Sequence, residues 1–158
     1  MSDLDEALAL LAGLPEAERA AALRVLRNYA GRSPHGGPFT WLLGVQYDEV
    51  RPGFTRCHLD VGRHLHNPAA IAHGAVAYAL IDSAMGAAFY NALERPLGCA
   101  TIELKVNYLR PVVAGRVWAT AELVEQTRRF GLLTGRVTDE QDRLVALGQG
   151  TFAIIKPA

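Results

Sequence analysis

The sequence predicts an α+β fold: a curled antiparallel sheet wrapped around one long central helix, preceded by an N-terminal helical hairpin. Three observations carry this prediction. Residues 74 to 93 form a nearly unbroken apolar stretch of helical length, and a helix apolar almost all round must be covered on most sides. From Phe39 onward the rest of the chain breaks into short runs with strand character. Two of these runs precede the long helix and four follow it, joined by short turns. That order cannot build a βαβ repeat, and it predicts that the later strands form an antiparallel meander.

Taken in order, residues 3 to 12 place Leu4, Leu8 and Leu11 at helical spacing, and residues 15 to 29 close in the same way on Leu23, Leu26 and Tyr29. Gly13 suits the end of the first helix, Pro15 the first turn of the second and Gly31 its end, so residues 1–31 read as an N-terminal helical cap. "GRSPHGGP", residues 31–38, reads as a loop, and its Pro-flanked HGG is expected to have no helix behind it. Strand-like runs cover 40–48 and 53–61, then 99–109, 115–126, 130–138 and 143–155 after the helix. In "TIELKVNYL" the residues Ile102, Leu104, Val106 and Tyr108 alternate with Thr101, Glu103, Lys105 and Asn107, the period of a strand with one buried face. "RVWATAEL" and "RLVALGQGTFAII" continue the pattern, with breaks at "RPVVAG", "TRRFG" and "DEQD". The main body is thus expected over 39–156.

A single domain of 158 residues is long enough to bury a core. Sixteen Lys and Arg balance sixteen Asp and Glu, which argues against nucleic acid or an anionic membrane as partner. Cys57 and Cys99 lack CxxC or metal-type spacing and read as reduced, structural thiols. "MSDLDEALALL" has acids where a secretory leader needs cations, so a cytoplasmic location is expected. The apolar run from Gly74 to Phe89, about sixteen residues, is shorter than the roughly twenty of a spanning helix and carries an Asp, so no membrane span is expected.

The chemistry is concentrated in "HNPAAIAHGAVAYALIDSA", residues 66 to 84. From Ala69 to Leu93 the only acid is Asp82, and no Lys or Arg occurs. His73 and Gly74 sit where the helix starts, and a helix N-terminus presents free N–H groups with a partial positive charge, suited to an oxyanion. Gly74 has no side chain to block a carbonyl from approaching its N–H. Asp82 lies eight residues further on, about 12 Å along the axis. A carboxylate must come within about 3 to 3.5 Å of the reacting atom. If Gly74 and Asp82 serve one reaction, Asp82 must therefore come from a second copy whose helix runs antiparallel. A two-fold dimer supplies two such sites.

Asn67, six positions before His73-Gly74, then eight from Gly74 to Asp82, then "TIELKVNYLRP", form a pattern by which the chain from about Phe39 to Lys156 resembles the hotdog-fold acyl-CoA thioesterases of the phenylacetate-pathway type. The resemblance implies an acyl-CoA substrate, no cofactor, no metal, and a homodimer or a dimer of dimers, that is, a homotetramer. It further implies that Gly74 gives the oxyanion-hole N–H and that Asp82 is the nucleophile or general base from the partner subunit. Asn67 then contacts the thioester or water, His73 orients the site and Thr101 holds the water. Ser83, Arg128 and Arg129 are candidate substrate contacts, the arginines through the phosphates of coenzyme A. Many members have Gly where this chain has Ala70 and Ala75, changes that bear on the loop and pocket rather than on a reacting group.

Each residue also has a plainer reading. Asp82 could be a hydrogen-bonded core carboxylate, His73 a local helix cap, Asn67 a turn former before Pro68, Thr101 a strand packer, and the two arginines part of a solvated hairpin turn. His64, His66 and His73 could be read as a metal site, although no Cys or acid completes a shell. Two rival functions remain open on sequence: a hotdog hydratase or dehydratase, which needs a His and a carboxylate together, and a non-catalytic acyl-CoA or small-ligand binding module. Tyr78, Phe89 and Tyr90 are candidate pocket or core aromatics.

Overall fold

The structure, a computed structural model, describes residues 2–94 and 96–156, so Met1 of the expected cap lies outside the described residues. Helix α1 (Asp3–Gly13) starts on Ser2, whose hydroxyl accepts from Asp5 N–H while Asp5 accepts from Ser2 N–H in return. Helix α2 (Glu16–Ala30) begins directly after Pro15 and closes with Gly31 N–H donating to Arg27 C=O. Arg19 links the two by donating to the Leu14 carbonyl at 2.8 Å. Helix α1 buries no residue, and its Leu4, Leu8 and Leu10 stay exposed. Helix α2 is tied to the body by Arg24 to Asp60 at 3.0 Å and by Arg63 to Glu18 at 2.9 Å. Asp60 also binds Arg116, and these two guanidinium groups, Arg116 first, hold its carboxyl below the usual range.

One expected strand is divided. Residues 40–48 were expected to be extended, but helix α3 (Pro38–Leu43) occupies the first part and strand β1 covers Gln46–Arg51. The loop holding "PHGGP" therefore does lead into a helix. Pro38 presets the first helical turn, Thr40 Oγ1 accepts from Gly37 N–H at 2.9 Å, and Gly44 at φ 80° ends the helix. A short apolar run such as "TWLL" does not distinguish helix from strand by period.

The other strands are β2 (Phe54–Val61), β3 (Gly98–Tyr108), β4 (Gly115–Gln126), β5 (Phe130–Asp139) and β6 (Leu144–Ile155). They form one antiparallel six-stranded sheet in the order β1-β2-β4-β5-β6-β3. The expected meander holds for β4 to β6 and fails for β3, which pairs with β6 at the far edge. After the long helix the chain re-enters at that edge, and residues 109–114 carry it back to β4 beside β2. Along β3 the expected burial also fails in part: the ladder slips between Thr101 and Glu103, and Ile102 is left 60% exposed. Tyr108, at the strand's end, is exposed as well.

Helix α4 (Gly74–Ala92) lies against the sheet and buries Val76, Leu80, Ile81, Ala84, Met85, Ala88 and Phe89. The strands below it are lined with glycine. A Cβ on Gly135 would come within 3.0 Å of both Ile81 and Met85, one on Gly148 within 3.2 Å of Ile81, and one on Gly150 within 3.2 Å of the Met85 sulfur. Phe89, fully buried and edge-on to Phe152, fills the space a Gly131 side chain would take. No helix among the described residues is long and apolar enough to cross a membrane.

Gly131→Ala is the sharpest test of this packing, because its Cβ would lie 2.4 Å from the Phe89 ring. The expected cost is about 1 to 3 kcal/mol from overpacking. Urea denaturation of the variant checks it, and a change under 0.5 kcal/mol would show that the helix is not seated this deeply.

Candidate active site

The N-terminal end of α4 is built by the loop that precedes it. Asn67 Oδ1 accepts from Ala69 N–H at 2.9 Å and from Ile71 N–H at 3.4 Å, while Asn67 N–H donates to Ile71 C=O at 2.8 Å. These bonds fold residues 67–71 into a tight turn in which Ala70 takes φ 58°. That left-handed geometry is one that glycine adopts without steric cost and alanine does not. His73 then caps the helix: its Nδ1 accepts from Ala75 N–H at 3.0 Å and its carbonyl from Val76 N–H at 2.8 Å. A neutral His73 therefore carries its proton on Nε2. Gly74 N–H, at the first helical position, has no partner within the helix. The Tyr108 ring lies 3.5 Å from the point a Gly74 Cβ would occupy. Asn67, His73 and Gly74 thus meet at the mouth of a cavity of about 320 Å³ whose interior is lined by valines.

Asp82 faces a different cavity, of about 350 Å³. It is half-buried, and Thr101 Oγ1 donates to its Oδ1 at 2.8 Å. Ser83 and Tyr90 from α4, Cys99 from β3 and Tyr47 from β1 line the same space. His35 and Thr40 reach it from the loop and helix ahead of β1, and His35 meets the Tyr47 ring edge-on at 6.2 Å. Burial, then the neighbouring Cys57 and the charge of Asp82, push the Tyr47 phenol up to about 12, and its hydrogen bond with Ser83 pulls the other way. Tyr47 is therefore a neutral hydroxyl across the physiological range. Cys99 is pushed up by burial and then by Asp82.

The sequence-derived residues fall into two groups. Asn67, His73 and Gly74 share one cavity, and Asp82, Ser83 and Thr101 share the other. Arg128 and Arg129 join neither: Arg128 lines a cavity at the C-terminal end of α4 beside Leu93, and Arg129 sits in the β4–β5 turn. His66 Nε2 lies 2.7 Å from Val113 O and His73 Nδ1 is occupied, and among the described residues no three His, Cys, Asp or Glu side chains converge on one point. Both cysteines are free thiols, Cys57 buried beneath α4. Tyr47, His35, Thr40 and Tyr108 were not identified from sequence. They reach the cavities through tertiary packing, which no local spacing reports.

The two groups share one surface. Gly74, Tyr78, Asp82, Gly86 and Tyr90 recur every four residues along the part of α4 that the sheet leaves uncovered. Beside this stripe runs β3, whose outer edge has no partner strand among the described residues, with Thr101, Ile102 and Tyr108 exposed on it.

Comparison with known proteins places this architecture. A family model of the thioesterase superfamily matches residues 69–146. A Mycobacterium tuberculosis protein provisionally named an esterase is 36% identical over 115 residues, 71% of this chain and 82% of the other. The solved structure of that protein superposes with a TM-score of 0.74 at 30% identity, covering 77% of this chain and 99% of that one. A 1,4-dihydroxy-2-naphthoyl-CoA hydrolase from Listeria monocytogenes is 26% identical over 72% of this chain and 93% of its own length. A thioesterase from Haemophilus influenzae shares the fold at 20% identity, with a TM-score of 0.73 over 90% of this chain and 92% of its own. The fold is the hotdog fold of the thioesterases.

The strained loop residue offers a direct check. Ala70→Gly removes a Cβ held at positive φ, and it is expected to raise stability by about 1 kcal/mol. An unchanged or lowered melting temperature would show that the Asn67 turn does not hold Ala70 in the left-handed region.

Proposed function

This chain belongs to the thioesterase superfamily, and we propose that the thioester it hydrolyses is an acyl-CoA, at a site shared between two copies of the chain. The observation that carries the proposal is the separation of Gly74 and Asp82. They open into different cavities of one protomer, about 12 Å apart along a rigid helix, yet both lie on its uncovered stripe. An antiparallel second α4 brings Asp82 of the partner subunit to Gly74 and the reverse. In that register the two-fold axis passes beside Tyr78, midway between them, and the free β3 edges meet alongside, which supplies partners for their unpaired backbone groups. The CoA part of the proposal is supported by the Listeria relative, whose name specifies a CoA thioester.

The chemistry follows from the geometry. Gly74 N–H and the positive end of the helix polarise the thioester C=O. Thr101 fixes one oxygen of Asp82, leaving the other to take a proton from water as that water attacks the carbonyl carbon. The C–S bond then breaks, the proton passes to the departing thiolate, and free acid and CoA leave. Direct attack by Asp82 is the alternative first step. Asn67 has committed its oxygen to the loop, so its NH₂ faces the thioester or the water. His73 orients the mouth through its cap. Ser83 is a contact for substrate beside Asp82, and Arg128 and Arg129 are assigned to the CoA phosphates. In this reading residues 1–31 are an appended cap and 39–156 the catalytic unit, acting in the cytoplasm as a dimer or a dimer of dimers.

Two experiments test the shared site. His73 lies at φ −60° and ψ 140°, a conformation that tolerates a following proline, so Gly74→Pro deletes one N–H at the first helical position without breaking the helix. Gly74→Pro and Asp82→Asn should each abolish thiol release from acyl-CoA while remaining folded dimers. Co-assembled in equal amounts, they should regain about a quarter of wild-type activity, because half the dimers carry one intact site. Full activity in folded Asp82→Asn, or no recovery on mixing, would sink the assignment. Tyr78→Glu places two carboxylates at the proposed axis and should yield an inactive monomer by light scattering. An active monomer would refute the shared site.

A further inference from the structure

The two cavities differ in chemistry as well as in position. At the mouth of the Gly74 cavity stand Asn67, His73, Tyr108, whose hydroxyl lies 3.6 Å from the point a Gly74 Cβ would occupy, and Arg110, whose guanidinium is turned to the Leu144 carbonyl. Below the mouth the polar groups stop. Ile71, Ala77 and Val112 form the walls, and Val76, Val117 and Val145, each at most 5% exposed, form the floor between α4 and the sheet. The Asp82 cavity is lined instead by hydroxyls and an imidazole from Thr40, Tyr47, Ser83 and His35.

We infer that the valine-lined cavity is the acyl chamber and that it selects an unsubstituted aliphatic chain of medium length, while the polar cavity of the partner subunit receives the amide-bearing pantetheine arm. The inference rests on the shared-site reading above and names the substrate class of that same site. At a carbonyl polarised by Gly74 N–H the two substituents of the carbon diverge by about 120°, the trigonal angle of an sp² centre, so an acyl chain directed into the chamber sends sulfur outward toward the partner's Asp82. A hydroxyl or carboxylate far along the acyl group would pass beyond the mouth to walls and floor of Ile, Ala and Val, which cannot replace its lost water, a desolvation penalty that rejects it. The amides of pantetheine meet the opposite environment, where hydroxyl and imidazole groups can replace water. The chamber's 320 Å³ corresponds to roughly ten groups of water or methylene size at ~30 Å³ each, which fits an acyl chain of about six to ten carbons.

The test uses S-alkyl-CoA thioethers, which the enzyme cannot hydrolyse, with binding measured by calorimetry on the intact protein. Affinity should rise by up to about fourfold per added methylene from ethyl to about octyl and then level off. A 4-hydroxyphenacyl thioether should bind no tighter than the ethyl compound. Ala77→Phe and, independently, Val112→Trp fill the chamber from its walls rather than its floor. Each should remove most of the octyl advantage, read as the ratio of octyl- to ethyl-CoA affinity within the same variant. The inference is overturned if octyl-CoA binds no tighter than ethyl-CoA, if the hydroxyphenacyl compound binds tightest, or if the octyl advantage survives in both folded variants. If one variant does not fold, the other and the wild-type series carry the test. Failure of the hydrolase reading shows separately, as intact chain-length dependence without thiol release from octanoyl-CoA.

Discussion

The close approach of α4 to β5 and β6 is the constraint on which the rest of the molecule depends. Gly131, Gly135, Gly148 and Gly150 leave no Cβ on the inward face, and Ile81, Met85 and Phe89 descend into that space. A helix seated so deeply makes most of its surface core, and the sheet must curl to reach around it. Polar side chains are then tolerated on α4 only where the helix is not fully buried, as at Asp82, Ser83 and Asn91. The burial of the helix and the placement of its carboxylate are two results of one packing arrangement.

A helix held on most sides is also a ruler. Its rise fixes Gly74 and Asp82 about 12 Å apart, and no side-chain rotation closes that gap. Flexible loops could bring a donor and a carboxylate together within one chain, but at the cost of ordering them for every turnover. Under the proposed two-fold arrangement, two copies of a rigid helix would achieve the juxtaposition without that cost. In the proposed dimer each subunit contributes different parts to each site: the N-terminal end of one α4 and the carboxylate of the other.

Much of the fold was legible in the sequence because its signals are local. The long helix was expected over 74–93 and spans Gly74–Ala92; β4 and β5 agree with expectation to within one residue. Local pattern failed where tertiary placement decides. "TWLL" became helix because Pro38 and Gly44 bracket it, although its composition suits a strand. The crossing of β3 to the far edge leaves no trace in periodicity, and the slip that turns Ile102 outward is a matter of register with β6. Of the residues that line the two cavities, those on a single recognisable stretch could be named from sequence, whereas Tyr47, His35 and Tyr108 could not, since each arrives from elsewhere in the chain. Arg128 and Arg129, chosen for charge, lie by the opposite end of α4 from Gly74.

On sequence, each polar residue of the two cavities presents a choice between a structural and a chemical role, and its structural bonds are compatible with the chemical role proposed above. Asn67 spends its oxygen on the turn and keeps its NH₂. His73 spends Nδ1 on the helix cap and keeps Nε2. Thr101 sits in strand β3 and points its hydroxyl at Asp82. For Asn67 and His73 one end of the side chain is committed to the framework, so the other is held still, and a group held still needs little reorganisation to act in a transition state. In the proposed mechanism, the structural bond is thus part of what would make the remaining end chemically useful. The same logic accounts for Ala70: the turn that places Asn67 is over-determined by its hydrogen bonds, and it holds an alanine in a conformation that glycine adopts more readily.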